Sequence, residues 1–429
     1  MALDSDVYWK SVTGTTDYGF TPTFQNAGET TLPPELILCN TVLHSGYTSA
    51  QGDAMWGQSM GFTNRQWPSN YQRHEDNANY SDCYRSKLCA YPYAAVRSAA
   101  NQEMTRVNGW GYLNDGRSIY MDVVLQTNNH HTCYTSLRFN PMPWQLLSVS
   151  TPAATDADWK VDFGFAPDWV WMFTSQHLGA DSEHSGNWSR THAYYGESFA
   201  HRDGDVENWN YWSEDNQNTC DNGTAYYNDG TFFQPWWNGA AYAESFDSIT
   251  WYDSGIELDF QTSYTTQRSL NILAGKNANS KVGRFKLASS DYGDGVYRAS
   301  DSTIKVTTGF KPKMVFFLGG RIGSENGHTT SVQNGRGFAS ENDQWAQSMS
   351  LRDNMTYTDV FRSNANDMCF RRLNYSAASV YDECSLNAME SDGFRVNLDN
   401  AGSYPVSYLA LGDPPAELVL PYQQSIVSV

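Results

Sequence analysis

Positive charge is scarce in this sequence: 28 Lys and Arg stand against 47 Asp and Glu, for a net charge of −19. So acidic a chain repels phosphate backbones, which argues against nucleic acid as a partner. Long apolar runs are missing too. The longest, such as Trp169-Val170-Trp171-Met172-Phe173, are strand-sized and fall far short of the roughly 20 residues of a spanning helix, so no membrane insertion is expected. The opening Met1-Ala2-Leu3-Asp4-Ser5-Asp6 has neither a basic region nor an apolar run. No signal peptide is therefore expected, and the chain reads as cytoplasmic unless it leaves the cell inside a larger particle. Cysteine is sparse and odd in number, at seven, which implies no disulfide framework. Cys83 and Cys89 stand six apart, too far for a zinc knuckle. Free, mostly buried thiols are the expectation.

Motifs that carry chemistry are equally thin. No HExxH or CxxC spacing accompanies the pairs His130-His131 and His74-Glu75, and a metal needs three or four converging ligands. The acidic turns Asp203-Gly204-Asp205, Asp291-Tyr292-Gly293-Asp294-Gly295 and Asp301 lack the full calcium-loop pattern and read as turn chemistry. There is no phosphate loop and no carboxylate pair picked out by spacing. The expectation is a non-enzymatic protein with no catalytic residues, no metal and no cofactor.

What the chain does have is 14% aromatic residues and 33 glycines, a vocabulary of strands and turns. It also repeats itself. Pro34-Glu35-Leu36-Ile37-Leu38-Cys39, Pro167-Asp168-Trp169-Val170-Trp171-Met172-Phe173 and Pro312-Lys313-Met314-Val315-Phe316-Phe317-Leu318 share a proline, a polar residue and a continuous apolar run. Runs apolar at every position predict strands buried on both faces. The turn glycines Gly116, Gly255 and Gly393 follow the three prolines by 82, 88 and 81 residues, and each opens an alternating strand. Closing strands are predicted at Thr132–Phe139, Ser269–Gly275 and Val406–Gly412. Between them, Gly57-Gln58-Ser59-Met60-Gly61-Phe62, Gly196-Glu197-Ser198-Phe199 and Gly335-Arg336-Gly337-Phe338 lead to Trp67, Trp209 and Trp345, then to Asp76-Asn77, Asp215-Asn216 and Asp353-Asn354. The expected fold is all-β: three tandem β-sandwich or jelly-roll domains at 1–143, 144–282 and 283–429. Short linkers favour close packing about a pseudo-threefold axis, with a linear string of domains as the alternative.

The third copy resembles a repeat common in virion proteins of tailed bacteriophages. Thr308-Gly309-Phe310-Lys311-Pro312-Lys313-Met314-Val315 and Glu390-Ser391-Asp392-Gly393-Phe394 carry the resemblance. Gly164-Phe165-Ala166-Pro167-Asp168-Trp169-Val170-Trp171 carries it in the second copy. The first copy departs, lacking Gly-Phe before Pro34 and placing Arg117 where the pattern is apolar. These are packing and turn motifs, so they speak of a scaffold and not of a chemistry. The resemblance implies a structural protein of the tail, baseplate, fibre or capsid exterior, assembled into virions in the host cytoplasm. Its partners would be other virion proteins, the major capsid or tail proteins.

One composition anomaly points to binding. Within fifty residues the second copy holds Trp188, Tyr194, Tyr195, Trp209, Tyr211, Trp212, Tyr226, Tyr227, Phe232, Phe233, Trp236 and Trp237. Exposed aromatic faces stack on sugar rings or anchor protein interfaces. Trp188, Trp209, Trp212, Trp236 and Trp237 are therefore the candidates for an interface or a host-surface glycan site. The plainer alternative is that they fill the core and the seams between domains.

Overall fold

The computed structural model describes residues 3–12, 36–43, 50–51, 54–61, 69–74, 81–86, 105–112, 119–126, 130–139, 142–150, 158–175, 192–204, 206–215, 220–226, 233–237, 242–262, 269–288, 296–300, 302–320, 332–351, 360–374, 377 and 379–415. Regular structure among them is strand throughout. The first segment carries β1 (Asp4–Val12), β2 (Leu36–Leu43), β3 (Ala50–Gln51), β4 (Ala54–Gly61), β5 (Ser69–His74), β6 (Ser81–Ser86), β7 (Thr105–Tyr112), β8 (Ile119–Gln126) and β9 (His130–Arg138). The second carries β10 (Trp144–Ser150), β11 (Trp159–Asp162), β12 (Trp169–Ser175), β13 (His192–His201), β14 (Val206–Asp215), β15 (Cys220–Tyr226), β16 (Phe233–Trp237), β17 (Tyr242–Trp251), β18 (Gly255–Thr262) and β19 (Ser269–Gly275). The third carries β20 (Ser280–Lys286), β21 (Val296–Ser300), β22 (Thr303–Thr307), β23 (Pro312–Gly320), β24 (Val332–Ser340), β25 (Gln344–Leu351), β26 (Val360–Ala365), β27 (Phe370–Leu373), β28 (Val380–Glu390), β29 (Gly393–Asn400) and β30 (Pro405–Gly412).

Three antiparallel sheets share one strand order: β1-β9-β2-β4-β5-β6, β10-β19-β12-β13-β14-β15 and β20-β30-β23-β24-β25-β26. In each, the segment's first strand pairs with its last, and the last pairs with the strand of the continuous apolar run. From there the sheet meanders outward. Two further sheets, β11-β18-β17-β16 and β21-β22-β29-β28-β27, lie in the second and third segments, and the β7-β8 hairpin lies in the first. One strand crosses between segments: Ala50 and Gln51 of β3 pair with Arg362 and Phe361 of β26, extending the third sheet by a strand from the first segment.

The double-faced apolar runs divide their residues between two cores, as alternation along a strand requires. In β12, Val170 and Met172 pack with Val161, Ile256, Leu258, Leu270 and Ile272, between the second segment's two sheets. In β23, Val315 and Phe317 pack likewise with Ile304, Val306, Phe394, Val396 and Tyr408. The alternate residues face elsewhere. Leu36 and Leu38 of β2, Trp169, Trp171 and Phe173 of β12, and Met314, Phe316 and Leu318 of β23 all meet in one further cluster that draws on all three segments. Burying one such side chain contributes about 1.5–3 kcal/mol, so this shared core is a main source of cohesion between the sheets.

Both landmark turns have a steric reason. Gly255 and Gly393 open β18 and β29, where a Cβ would lie 2.0 Å from the carbonyl oxygens of Val161 and Val306 on the neighbouring strands. Gly164 and Gly309 have φ of 72° and 87°, a region L side chains avoid. Their turns dock on the others: Phe163 N–H donates to the Ser254 carbonyl at 2.7 Å, and Thr308 N–H to the Asp392 carbonyl at 2.8 Å. The Gly-Phe-x-Pro and x-Gly motifs are thus two halves of one packed corner. Pro34 and Gly116 of the first segment lie outside the described residues.

Candidate functional site

The shared core has a polar centre. Arg336, on β24, is 2% exposed and sits where the three segments meet. Its Nη1 donates to Oδ1 of Asn40 on β2 at 2.9 Å, and its Nη2 to Oε2 of Glu197 on β13 at 2.9 Å. The other Glu197 oxygen accepts from Trp171 Nε1 at 2.7 Å. Gln347 Nε2 donates to the Asn40 carbonyl at 3.2 Å, and Trp345 Nε1 to Thr135 Oγ1 at 2.8 Å. One guanidinium therefore holds one strand from each of two other sheets. Charge buried this deeply is tolerated only when paired and hydrogen-bonded, and both carboxylate oxygens are engaged here.

Register makes the position more specific. Gln58 stands opposite Asn40, Glu197 opposite Phe173 and Arg336 opposite Leu318. Each lies two residues before the partner of the strand's central apolar residue: Met60 opposite Leu38, Phe199 opposite Trp171, Phe338 opposite Phe316. Gln58, Glu197 and Arg336 thus occupy one equivalent register position in three sheets of identical order.

Contacts between segments run in a cycle. The second segment's β12 and β13 meet β5 and β6 of the first, the first segment's β2 and β4 meet β26 of the third, and the third segment's β24 meets β14 and β15 of the second. Single bonds fasten the third segment to its neighbours. Leu3 N–H donates to Asp413 Oδ1 at 3.0 Å, Asn277 Nδ2 to the Gly412 carbonyl at 2.7 Å, and His201 Nε2 lies 3.1 Å from Ser280 Oγ. Trp171 and Phe316 pack with ring centroids 4.8 Å apart.

Four of the five aromatic candidates lie on two strands. Trp209 and Trp212 lie on β14, with Trp209 opposite Glu197 and Tyr226, and Trp212 opposite Tyr194 and Gly223. Trp236 and Trp237 lie on β16, an edge strand of the other sheet, paired irregularly with Glu244 and Tyr242 of β17. β14 and β16 contact one another, and Trp188 lies outside the described residues. Of the acidic turns and histidine pairs, Asp205, Asp291–Gly295, Asp301 and Glu75 also fall outside them. Among the described residues, no group of three or more His, Cys, Asp or Glu could hold a metal ion.

A small polar surface, not expected from the sequence, lies beside the β17–β18 turn. Tyr252, 39% exposed, donates its hydroxyl to Glu257, over which Lys160 Nζ sits at 3.5 Å. Lys160 also lies 5.1 Å from the Tyr252 ring centroid, and Arg202 lies 5.7 Å from that of Trp251. The Glu257 charge pushes the Asp158 carboxyl above its usual range. The Tyr252 hydroxyl holds Glu257 below its own, and the same bond raises the Tyr252 phenol. The only sequence signal was a Trp-Tyr pair directly before an Asp-Ser-Gly turn. Compared with known proteins, the chain matches no family model and no curated protein.

Proposed function

We propose that the chain is a non-enzymatic structural protein of a tailed-bacteriophage virion, on the capsid exterior or in the tail or baseplate, built as a single-chain imitation of a trimer. Three copies of one β-sandwich unit, of jelly-roll type, would close around a pseudo-threefold axis. The observation that carries this reading is the Arg336 junction, where strands of three like-ordered sheets are joined by Arg336, Glu197 and Asn40. The cyclic contacts support a ring over a string, because a string leaves the first and third units apart. Arg336 bonds Asn40 and Glu197 on two other sheets, which suits a scaffold better than a reaction site. The phage assignment itself rests on the resemblance of the Gly-Phe-x-Pro and Ser-Asp-Gly-Phe corners.

Within this reading, β20 begins at Ser280 and pairs with β30 as β10 pairs with β19, which supports a third unit built like the second. Partners would be the major capsid or tail proteins. Antibodies against the folded chain should decorate purified particles at regular positions. Chain recovered only free in the lysate, never on particles, would contradict the proposal.

A second reading, recognition of a host surface glycan, draws on the exposed Tyr252 flanked by Lys160 and Glu257. Glycan binding lost on Tyr252→Ala with the fold intact would favour it.

A further inference from the structure

We propose that Cys369 and Cys384 are a disulfide-forming pair that staples the third segment when the chain folds in the presence of a small-molecule disulfide. Cys369 directly precedes β27, and Cys384 lies within β28, opposite Phe370. Cys369 N–H donates to the Cys384 carbonyl at 2.9 Å. The two Sγ atoms are 3.6 Å apart, and Cys369 Sγ lies 3.3 Å from the Cys384 carbonyl oxygen. A disulfide needs about 2.0 Å between sulfurs and Cα atoms on neighbouring strands. The backbone pairing supplies the second condition, and closing the sulfur gap takes an approach of about 1.6 Å through side-chain rotation.

Among the described residues, no third cysteine side chain lies beside this pair. Both thiols are fully buried among Phe317, Phe370 and Val406. Cys133, the other cysteine with a described side chain, sits in the core shared by the three segments, with its sulfur 4.0 Å from Thr135 Oγ1. Burial and the neighbouring Cys369 push the Cys384 thiol well above its ordinary range. Since the thiolate is the attacking species, exchange takes place before this core closes, and the finished bond is then shielded from reductant.

The chemistry balances with an external disulfide such as oxidised glutathione. One cysteine thiolate attacks a glutathione sulfur, forms a mixed disulfide and expels one glutathione thiolate. The second cysteine attacks the protein sulfur of that mixed bond and expels the other. The two protein protons end on two reduced glutathiones, so the protein pair is oxidised and the glutathione disulfide reduced.

The test is refolding of the full chain from denaturant with and without a glutathione redox pair, followed by denaturing alkylation, intact mass and peptide mapping. The expected result is a product lighter by two hydrogens, a single cross-linked peptide joining Cys369 to Cys384, and a higher unfolding midpoint that reductant added before refolding abolishes. Cys133→Ser should keep the cross-link, and Cys384→Ser should lose the mass difference. Alkylation of both thiols after oxidative refolding of the wild-type chain, or a cross-link from either to another cysteine, overturns the proposal.

Discussion

Arg336 shows how little a charge in a strand reveals about its surroundings. In the sequence, Gly335-Arg336-Gly337-Phe338 stands only as a landmark of the repeat, with nothing to say what its arginine would meet. The structure buries it between Asn40 and Glu197. Removing one partner of a buried pair leaves the other charge uncompensated, at about 3–5 kcal/mol. Arg336→Met should therefore lower the guanidinium midpoint sharply, and adding Glu197→Gln should recover much of the loss. A double variant as unstable as the single one would show that the pair's charges are not the reason. The corner glycines separate two effects at the same scale. A Cβ at Gly309 meets nothing within 4 Å, so Gly309→Ala should cost only the left-handed backbone strain, about 1–2 kcal/mol. Gly393→Ala meets a carbonyl and should cost more. Equal losses in thermal melts would contradict the steric account.

Asp168 carries a pH signature. Burial raises its carboxyl above the usual range, against the pull of Arg202, His201 and Lys276. A raised folded value means that the folded state holds the proton more tightly than the unfolded chain. Stability is then fully present below the unfolded value and is lost as pH rises through the interval up to the folded one. Asp168→Asn should accordingly stabilise the chain at neutral pH, with the gain vanishing once the pH drops below the carboxylate range. A gain that persists at acid pH would point to a cause other than ionisation.

At the scale of elements, much was legible. The closing strand predicted at Ser269–Gly275 is β19, and those predicted at Thr132–Phe139 and Val406–Gly412 fall on β9 and β30, found by their fixed distance from the turn glycine in each copy. The expectation that the runs of β12 and β23 are buried on both faces also agrees with the structure. Alternation could not say that the two faces belong to different cores, since either core asks for the same residue types. β3 was invisible for another reason: a two-residue pairing leaves no periodicity to read. The polar surface around Tyr252 arises from residues on β11, β17 and β18 and had no single stretch to announce it. Trp171 faces the shared core, so Trp171→Ala should cost about 3–5 kcal/mol. It should also expose the connections at 139–143 and 276–279 to limited proteolysis. Cleavage unchanged from the wild type would mean that the segments do not depend on this core.

For the whole molecule, the proposed ring would explain why three sheets share one strand order while their residues differ. Three identical subunits would put the same residue at each equivalent position. This chain has Gln58, Glu197 and Arg336 there instead, and Arg336 pairs with Glu197 and with Asn40 across the sheets. A single chain can make such an asymmetric centre, and a homotrimer cannot. Acidity fits the exterior of a particle, where like charges keep assemblies soluble. The most direct measurement is a side-chain-resolution reconstruction of phage particles that carry the chain. The account predicts density for it on the particle, its three units related by threefold rotation, with Arg336 at the centre between Asn40 and Glu197. Particles without the chain, or units strung out with the first and third apart, would contradict it.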